Sequence, residues 1–307
     1  MIKFIKLKAL IKIYLFRLNE YLFGYPHLKK QFRKKTGYDL NLKYPRSFNE
    51  KINWKKIYDR NPLLPIVSDK LKVRSYLIKQ LGAKRANEIL IPLLYHTDNP
   101  EKISFEKLPE QFVIKATHGS GANKIITSKT LLDKDELIRT CKKWLDQPYG
   151  AFKHEWSYQN IKPRIIIEEF IQENGESPID YKFHMIHNNC EFIQVIQRRV
   201  GKEDERKMSF YDTDWKKLNI YREYPHSRGF VKPTNFQEML ELAETLSKCF
   251  DYIRVDLYSI GERVYFGELT NYPASGEGRY KPQSFDFELG EKWTLRPKYW
   301  LDESYHC

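Results

Sequence analysis

The stretch from Phe250 to Gly278 constrains the chain most, because apolar and polar residues alternate at period two on both sides of a reversal. Between Asp251 and Tyr258, residues Ile253, Val255 and Leu257 fall on one face and Arg254, Asp256 and Tyr258 on the other, as in a strand with one buried side. Ser259-Ile260-Gly261 suits a turn, so Arg263 to Thr270 returns antiparallel and brings Glu268 beside Asp256. Carboxylates paired in this way can hold a hard divalent cation, with a nucleotide's phosphates completing its shell. A solvated hairpin with incidental acids has the same pattern, and this stretch alone does not separate the two.

A chain of 307 residues can bury a substantial core and suggests two or three packed units sharing one body. With 41% hydrophobic and 30% charged residues it falls outside the disordered class. Cys141, Cys190, Cys249 and Cys307 are far apart, match no zinc-ligand spacing and follow no secretion signal, so free thiols in a reducing, cytoplasmic setting are expected. The formal charge of +13 implies an acidic partner, whether nucleotide, anionic polymer, phospholipid surface or nucleic acid, without choosing among them. No apolar run has the length needed to cross a bilayer, which leaves a soluble or surface-associated protein as the expectation.

The first thirty-five residues set ten lysines and arginines against one acid, Glu20, with apolar residues between them that form a broad stripe on a helix. Peripheral contact with anionic lipid on the inner face of the cell membrane is one reading. Packing of the stripe on the body of the protein is the other, and the one expected. Gly37 to Asn61 is mixed, with Pro45 as a break. Ser68 is placed to cap a helix that reaches Leu81 and stops at Gly82, and Ala86 to Leu94 is a further apolar segment interrupted by Pro92. Phe112 to Lys115 reads as a strand entering the loop His118 to Asn123, and Lys124 to Thr127 resumes extended structure. Asp133 with Glu136 signals a capped helix, and Ile165 to Ile171 a strand carrying Glu168 and Glu169. Tyr181 to Ile186 and Glu191 to Ile196 flank a turn at His187 to Asn189, and Gly201 to Lys207 is a charged loop. Thr234 with Gln237 opens a helix whose face holds Met239, Leu240, Ala243 and Leu246, and the tail after Lys281 packs back on the body.

Lys115 and the loop His118 to Asn123 are the second clue to chemistry. Glycines let a backbone curl close to phosphate oxygens, amide hydrogens donate, and a neighbouring ammonium offsets charge. The GxxxxGK[ST] phosphate loop is excluded, because its Gly-Lys-Ser/Thr ending is missing. An ordinary turn uses the same glycines, so Gly119-Ser120-Gly121 gains weight only in combination with Asp256 and Glu268.

Six blocks stand in order along the chain: Asp69-Lys70 with Gly82, Phe112 to Asn123 (FVIKATHGSGAN), Ile166 to Ile171 (IIEEFI), Asp180 to His184 (DYKFH), Arg254 to Tyr258 (RVDLY) and Gly267 to Thr270 (GELT). In these the chain resembles the ATP-grasp family, in the branch similar to the teichuronopeptide-biosynthesis enzyme and related cell-surface polysaccharide proteins. The resemblance implies an α+β, ATP-grasp fold with a nucleotide cleft between two α+β lobes, preceded by a basic helical N-terminal segment. The implied divisions are the basic segment at 1–60, a substrate-side portion at 61–110, a lid lobe at 111–170, a metal-binding and catalytic lobe at 171–285, and a tail at 286–307.

The resemblance also implies roles, with ATP and Mg2+ as the cofactors. Lys115 matches the lysine on the ATP phosphates, Gly119, Ser120 and Gly121 the lid loop, with His118 beside phosphate or acceptor. Glu168, Glu169, Phe170 and Ile171 match the segment that links the lobes and reads adenine, and Lys182 a second phosphate contact, although a surface salt bridge suits Lys182 equally. Asp256 and Glu268 match the magnesium-binding acids. The family's metal pattern ends in Glu-x-Asn, whereas this chain has Glu268-Leu269-Thr270-Asn271; period two gives Thr270 the face of Glu268 and turns Asn271 away. Arg254 is the leading candidate to steady an acyl phosphate or carboxylate, followed by Arg198 or Arg199, because a guanidinium fits two oxygens at once. Ser275, Gly276, Gly278 and Arg279 form a candidate acceptor loop, and His184 belongs to strand packing.

The implied activity is ATP- and magnesium-dependent ligation of a carboxylate to an amine through an acyl phosphate. Its partners would be an acidic glycan or uronic-acid-containing precursor and an amine donor such as an amino acid or amino sugar. The alternatives are ATP-dependent glycan phosphotransfer, a glycosyltransferase, for which no sugar-nucleotide site is evident, and a noncatalytic module that binds anionic polymer. Nucleic acid is not an expected partner, since the basic residues form no recognisable recognition module.

Overall fold

A computed structural model describes residues 2–173, 176–199, 202–222, 229–303 and 305, and of residues 2–9, 198–199 and 202–206 the backbone alone. Six helices precede the first strand: α1 (Ile2–Leu22), α2 (Pro26–Thr36), α3 (Phe48–Tyr58), α4 (Leu63–Ser68), α5 (Val73–Leu81) and α6 (Ala83–Ile89). In the stretch where the sequence offered only Pro45 as a landmark, α3 is fixed by a reciprocal cap. Glu50 N donates to Ser47 Oγ at 3.1 Å, and Ser47 N donates back to Glu50 Oε2 at 2.9 Å.

Of the helix expected from Ser68 to Leu81, only Val73–Leu81 forms, as α5. Ser68 ends α4 instead of opening a helix, and Asp69 turns the chain by accepting from Leu71 N at 2.9 Å and Lys72 N at 3.3 Å. Gly82, at φ 77°, then closes α5 as expected. The apolar segment Ala86 to Leu94 also divides, into the end of α6 and the start of β1 (Leu93–Thr97), because Pro92 supplies no amide hydrogen to continue the helix.

Next come β2 (Phe112–Ala116), β3 (Asn123–Ile126), α7 (Lys134–Asp146), α8 (Trp156–Gln159) and β4 (Ile165–Glu169), and the four strands form an antiparallel sheet in the order β1-β4-β2-β3. Asp133 caps α7 by accepting from Glu136 N at 2.8 Å, and Leu137 and Cys141 pack the helix on this sheet. The remaining elements are β5 (Asp180–Ile186), β6 (Asn189–Arg199), β7 (Lys202–Tyr211), α9 (Phe236–Ser247), β8 (Tyr252–Ile260), β9 (Arg263–Thr270) and α10 (Ser284–Glu291). Their strands form a second antiparallel sheet, β7-β6-β5-β8-β9, with His187 and Asn188 in left-handed conformations at the β5–β6 turn.

Two expectations fail here. The charged stretch up to Lys207 is the first half of β7 and not a loop: backbone pairing to β6 sets its conformation, which charge alone does not reveal (Gly201 itself lies outside the described residues). Helix α9 begins at Phe236, and its N-terminal neighbour Asn235 makes no side-chain cap, so the pattern at Thr234 and Gln237 does not act as one.

Alternation gives the second sheet two packed faces. Phe183, Ile193, Val195, Ile253, Val255 and Leu257 join α4–α6 and the Met239, Ala243 and Leu246 face of α9. Phe192, Phe210 and Tyr252 meet Phe48 and Ile52 of α3 and Trp293 of the tail, which packs back as expected. Burying each such ring contributes roughly 1.5–3 kcal/mol. Cys141, Cys190 and Cys249 are free thiols, and Cys307 lies outside the described residues.

The N-terminal stripe meets its expectation only in part, since among its described side chains some pack on the body and others do not. Ile13 and Glu20 are buried and Phe16 meets Phe152 and His154, whereas Leu10, Tyr14, Leu18 and Tyr21 face solvent. Among the described residues, no helix is long and apolar enough to cross a membrane.

His154 makes this anchoring sensitive to acid. Its ring is 8% exposed, stacks on Phe16 and lies 3.3 Å from Glu20 Oε2. Burial pushes its pKa from 6.5 down to about 4; Glu20 opposes the shift, while Lys56 and Arg17 add to it. The unfolded chain therefore takes up a proton first. Stability is full above the unfolded value and declines as pH falls toward the folded one, by about 2 kcal/mol between pH 7 and pH 5. Urea unfolding at the two pH values should show this loss in the wild type and a flatter dependence in His154→Gln; equal slopes would count against the assignment.

Candidate functional site

The two sheets face one another across a cavity of about 420 Å³. Lys115 on β2, Ser120 and Gly121 in the following loop and Glu168 on β4 line it from the first sheet, Lys182 on β5, Asp256 on β8 and Glu268 on β9 from the second, and Lys70 and Arg74 from the segment opening α5. Period-two alternation delivers these polar groups to one surface while Ile114, Val255 and Leu257 fill the cores behind them. Lys115 Nζ lies 2.8 Å from Glu168 Oε2, and Lys70 Nζ donates to Gly119 O at 2.5 Å.

Asp256 and Glu268 stand opposite each other in register, with an irregularity in the ladder just beyond Asp256. Asp256, 1% exposed, accepts from Arg254 Nε at 2.6 Å and Nη2 at 2.7 Å, and also from Lys182 Nζ. Arg254 Nη2 further donates to Thr270 Oγ1 at 2.9 Å and Glu268 Oε1 at 3.2 Å, while Thr270 Oγ1 donates to Glu268 Oε1 at 2.9 Å. The two acids differ in environment. Burial raises the Asp256 pKa despite Arg254 and Lys182, and Glu268 adds to the rise. The Glu268 side chain keeps 41% of its surface open to the cleft. Enclosing protein atoms still oppose its ionisation, but Lys70, Arg254 and Lys182 outweigh them and hold its pKa at about 2.

The two glycines of the loop answer different needs. A Cβ on Gly119 would lie 2.6 Å from the Tyr149 ring, so the ring's close approach requires glycine; Gly121 sits at φ +81° and makes the turn. His118 departs from the expectation. Its ring is buried, with Nε2 3.1 Å from Trp144 O near the end of α7, and it does not line the cavity.

Of the segment Glu168 to Ile171, Glu168 lines the cavity, whereas Glu169 is exposed and Phe170 and Ile171 lie outside the lining. Thr270 shares the side of Glu268 as period two requires, and Asn271 turns inward to donate to Ser68 Oγ at 2.7 Å and Leu64 O at 3.2 Å. His184 is packed between strands, stacked on Phe192 and bonded through Nδ1 to Tyr252 OH at 3.0 Å. Arg198 and Arg199 lie on β6, their side chains outside the described part of the chain.

A second cavity of about 340 Å³ adjoins the first through Ser120, Tyr158 and Glu268, and adds Lys35, Lys153, Arg254, Tyr149, Tyr272, Glu155 and Glu277. Ser275 lines it. Gly276 packs instead on α3, and Arg279 is exposed at a separate small cavity with Tyr38 and Asp286, so the expected acceptor loop is not a single wall. Ala274, Ser275 and Gly276 take successive left-handed conformations at φ 48°, 56° and 66°. For the two residues bearing a Cβ this costs roughly 1–3 kcal/mol each. One face of α3 holds them there: Lys56 Nζ donates to Ser275 O at 2.8 Å, Asn53 Nδ2 to Gly276 O at 2.8 Å and Asn49 Nδ2 to Gly278 O at 2.6 Å. Burial pushes the Lys56 pKa down to about 8 against the pull of Glu155 and Glu277.

Sequence reasoning passed over this clamp and also Lys35, Tyr149 and Tyr158. A usable signal lay in Asn49, Asn53 and Lys56, whose spacing puts three polar side chains along one helix face next to the apolar Phe48 and Ile52. Lys70 was visible in the Asp69-Lys70 block, without a role.

Among the described residues no group of three His, Cys, Asp or Glu side chains can hold a metal ion. Asp256, Glu268 and the Thr270 hydroxyl are hard oxygen donors of the kind that suit Mg2+ where phosphate oxygens share the shell; both Asp256 oxygens here accept from Arg254 and Lys182, so Glu268 offers the open carboxylate.

A family model described as TupA-like ATPgrasp matches residues 50–294. Similar solved structures include D-alanine–D-alanine ligase from Bacillus anthracis, at 18% identity over 67% of this chain and 57% of that one, with a TM-score of 0.39. D-alanine–D-alanine ligase from Helicobacter pylori is similar at 14% identity over 82% of this chain and 68% of that one, with a TM-score of 0.43. The ATP-grasp ligase PsnB, solved with a variant of its minimal precursor, Mg and ADP, is similar at 12% identity over 68% and 52%, with a TM-score of 0.39. The matched part thus spans 57% of the Bacillus anthracis enzyme's length. No curated protein gives a significant match.

Proposed function

The chain belongs to the TupA-like ATP-grasp family, and from that membership we propose that it ligates a carboxylate to an amine with cleavage of ATP, through an acyl phosphate, on an acidic cell-surface polysaccharide or its precursor. ATP-grasp ligases use ATP and Mg2+. The observation that carries this reading is the cross-strand pair Asp256 and Glu268, which shares one cavity with Lys70, Lys115 and Lys182. When bound there, held by Asp256, Glu268 and Thr270, Mg2+ would offset charge on the phosphoryl oxygens.

The chain's own groups then divide the work. Lys115 and Lys182 hold the phosphates from opposite sheets, and the backbone at Ser120 and Gly121 closes over them. Arg254, on the wall of the second cavity, steadies the acceptor carboxylate. A carboxylate oxygen bonds to the γ-phosphorus as the bond to the β,γ-bridging oxygen breaks and ADP departs. The amine nitrogen next bonds to the acyl carbon and gives up a proton, and phosphate leaves with the former carboxylate oxygen.

The second cavity supports the substrate class. Lys35, Lys153 and Arg254 suit an anionic sugar, the rings of Tyr149, Tyr158 and Tyr272 offer it apolar faces, and Glu155 and Glu277 suit the ammonium of an amino acid or amino sugar. The test is incubation of the purified chain with ATP, magnesium and fractionated glycan precursors, following nucleotide and covalent product together. ADP, phosphate and a new amide are the expected products. AMP with pyrophosphate, or a phosphorylated glycan without an amide, would overturn the acyl-phosphate route.

A further inference from the structure

Large apolar side chains left in water over several helical turns imply a covering surface. In α1 and just beyond it, Leu10, Tyr14, Leu15, Tyr21, Leu22 and Phe23 are each 57–70% exposed. At roughly 100° per residue, the five on the helix fall within an arc of about 140°. Ile13, Phe16 and Glu20 occupy the opposite side, where Ile13 and Glu20 are buried, Phe16 packs on Phe152 and His154, and Glu20 lies beside His154. Lys12 and Arg17 border the apolar arc on its two edges, and α2 turns Lys29, Lys30, Arg33 and Lys34 to solvent.

The charge on this surface selects the partner. Residues 1–38 contain ten lysines and arginines and a single acid, Glu20. Glu20 is fully buried and is occupied by His27 N at 2.8 Å and Leu28 N at 3.1 Å, so no carboxylate of this segment faces outward. A second copy laid on the same face would bring like charges together. An anionic phospholipid surface offers both an apolar layer and counter-charge, and α1 is not apolar enough to go through it.

We propose that α1 lies in the plane of an anionic phospholipid bilayer, its apolar arc sunk among the headgroups and its bordering cations, with those of α2, on the lipid phosphates. The helix is tied to the second cavity. Lys35, at the end of α2, lines that cavity, and Phe16 packs on the two residues that flank Lys153, which lines it too. Docking therefore sets the cavity beside the membrane.

The test is sedimentation of the full chain with phosphatidylcholine vesicles, with and without phosphatidylglycerol, at low and high salt. The chain should pellet with the anionic vesicles, much less with the neutral ones, and less as salt rises. Tyr14→Glu combined with Leu15→Glu changes two exposed side chains, so it should leave thermal unfolding unaltered and weaken binding by at least about tenfold. Lys29→Gln combined with Lys30→Gln and Lys34→Gln should weaken binding and flatten its salt dependence. Equal pelleting with neutral and anionic vesicles, none with either, or wild-type binding by the first variant would overturn the proposal. So would a dimer in light scattering that the first variant dissociates, which would show that a second copy covers the arc.

Discussion

Asp256→Asn and Glu268→Gln should each lower magnesium-dependent ATP turnover by roughly 100- to 1,000-fold, the range for removing one preorganised electrostatic group, while only the first should weaken the fold. Asparagine keeps the shape of Asp256 but leaves Arg254 and Lys182, whose side chains are 11% and 7% exposed, without the charge they enclose. Removing one partner from such a buried cluster costs about 3–5 kcal/mol. The Glu268 side chain is 41% exposed, and a glutamine oxygen can still accept from Arg254 and Thr270. Its stability loss should therefore stay within about 1 kcal/mol. Comparing urea midpoints with initial rates across a magnesium titration separates the two effects. If Glu268→Gln folds normally and turns over ATP at the wild-type rate, the carboxylate pair is not the metal site.

The hairpin bearing these acids was legible because strand alternation is a local property. Ile253, Val255 and Leu257 have to be buried together, and once they are, Asp256 and Glu268 share the other face. Thr270 and Asn271 were legible for the same reason. What the sequence concealed depends on contacts distant along the chain. His118 follows a strand and precedes Gly119, as a phosphate-binding residue would, yet its ring is claimed by a carbonyl of α7 twenty-six residues on. Gly119 was read as room for a phosphate, but Tyr149 occupies the space beside it. Lys202 to Lys207 looked like solvated loop because backbone pairing with β6 leaves no trace in charge. The exposed stripe of α1 gave the opposite difficulty: apolar periodicity identifies a face that has to be covered and is silent on whether protein or lipid covers it.

Lys55→Met should cost about 3–5 kcal/mol, as much as Asp256→Asn, because it leaves two buried carboxylates without their cation. Lys55 Nζ lies 2.6 Å from Asp59 Oδ2 and 2.6 Å from Asp251 Oδ1, with all three side chains almost fully enclosed. Burial opposes the charge on Lys55, but Asp251 and then Asp59 overcome it and raise its pKa well above the ordinary value. Trp293 Nε1 donates to Asp251 Oδ2 at 2.9 Å, so one cluster ties α3, the start of β8 and the C-terminal tail. If the loss comes from stranded charge and not from packing, adding Asp59→Asn and Asp251→Asn to Lys55→Met should recover part of it, since amides stay neutral where carboxylates do not. Urea unfolding of the single and triple variants reads this directly. The same helix grips the 274–278 loop through Asn49, Asn53 and Lys56, next to Lys55 in the sequence. With ATP and acceptor placed as proposed, a loosened α3 should therefore raise the KM for the acceptor more than the KM for ATP, because Ala274, Ser275 and Glu277 of the gripped loop line the second cavity and not the first. A stability loss below about 1 kcal/mol for Lys55→Met would mean that the cluster is open to water and does not anchor α3.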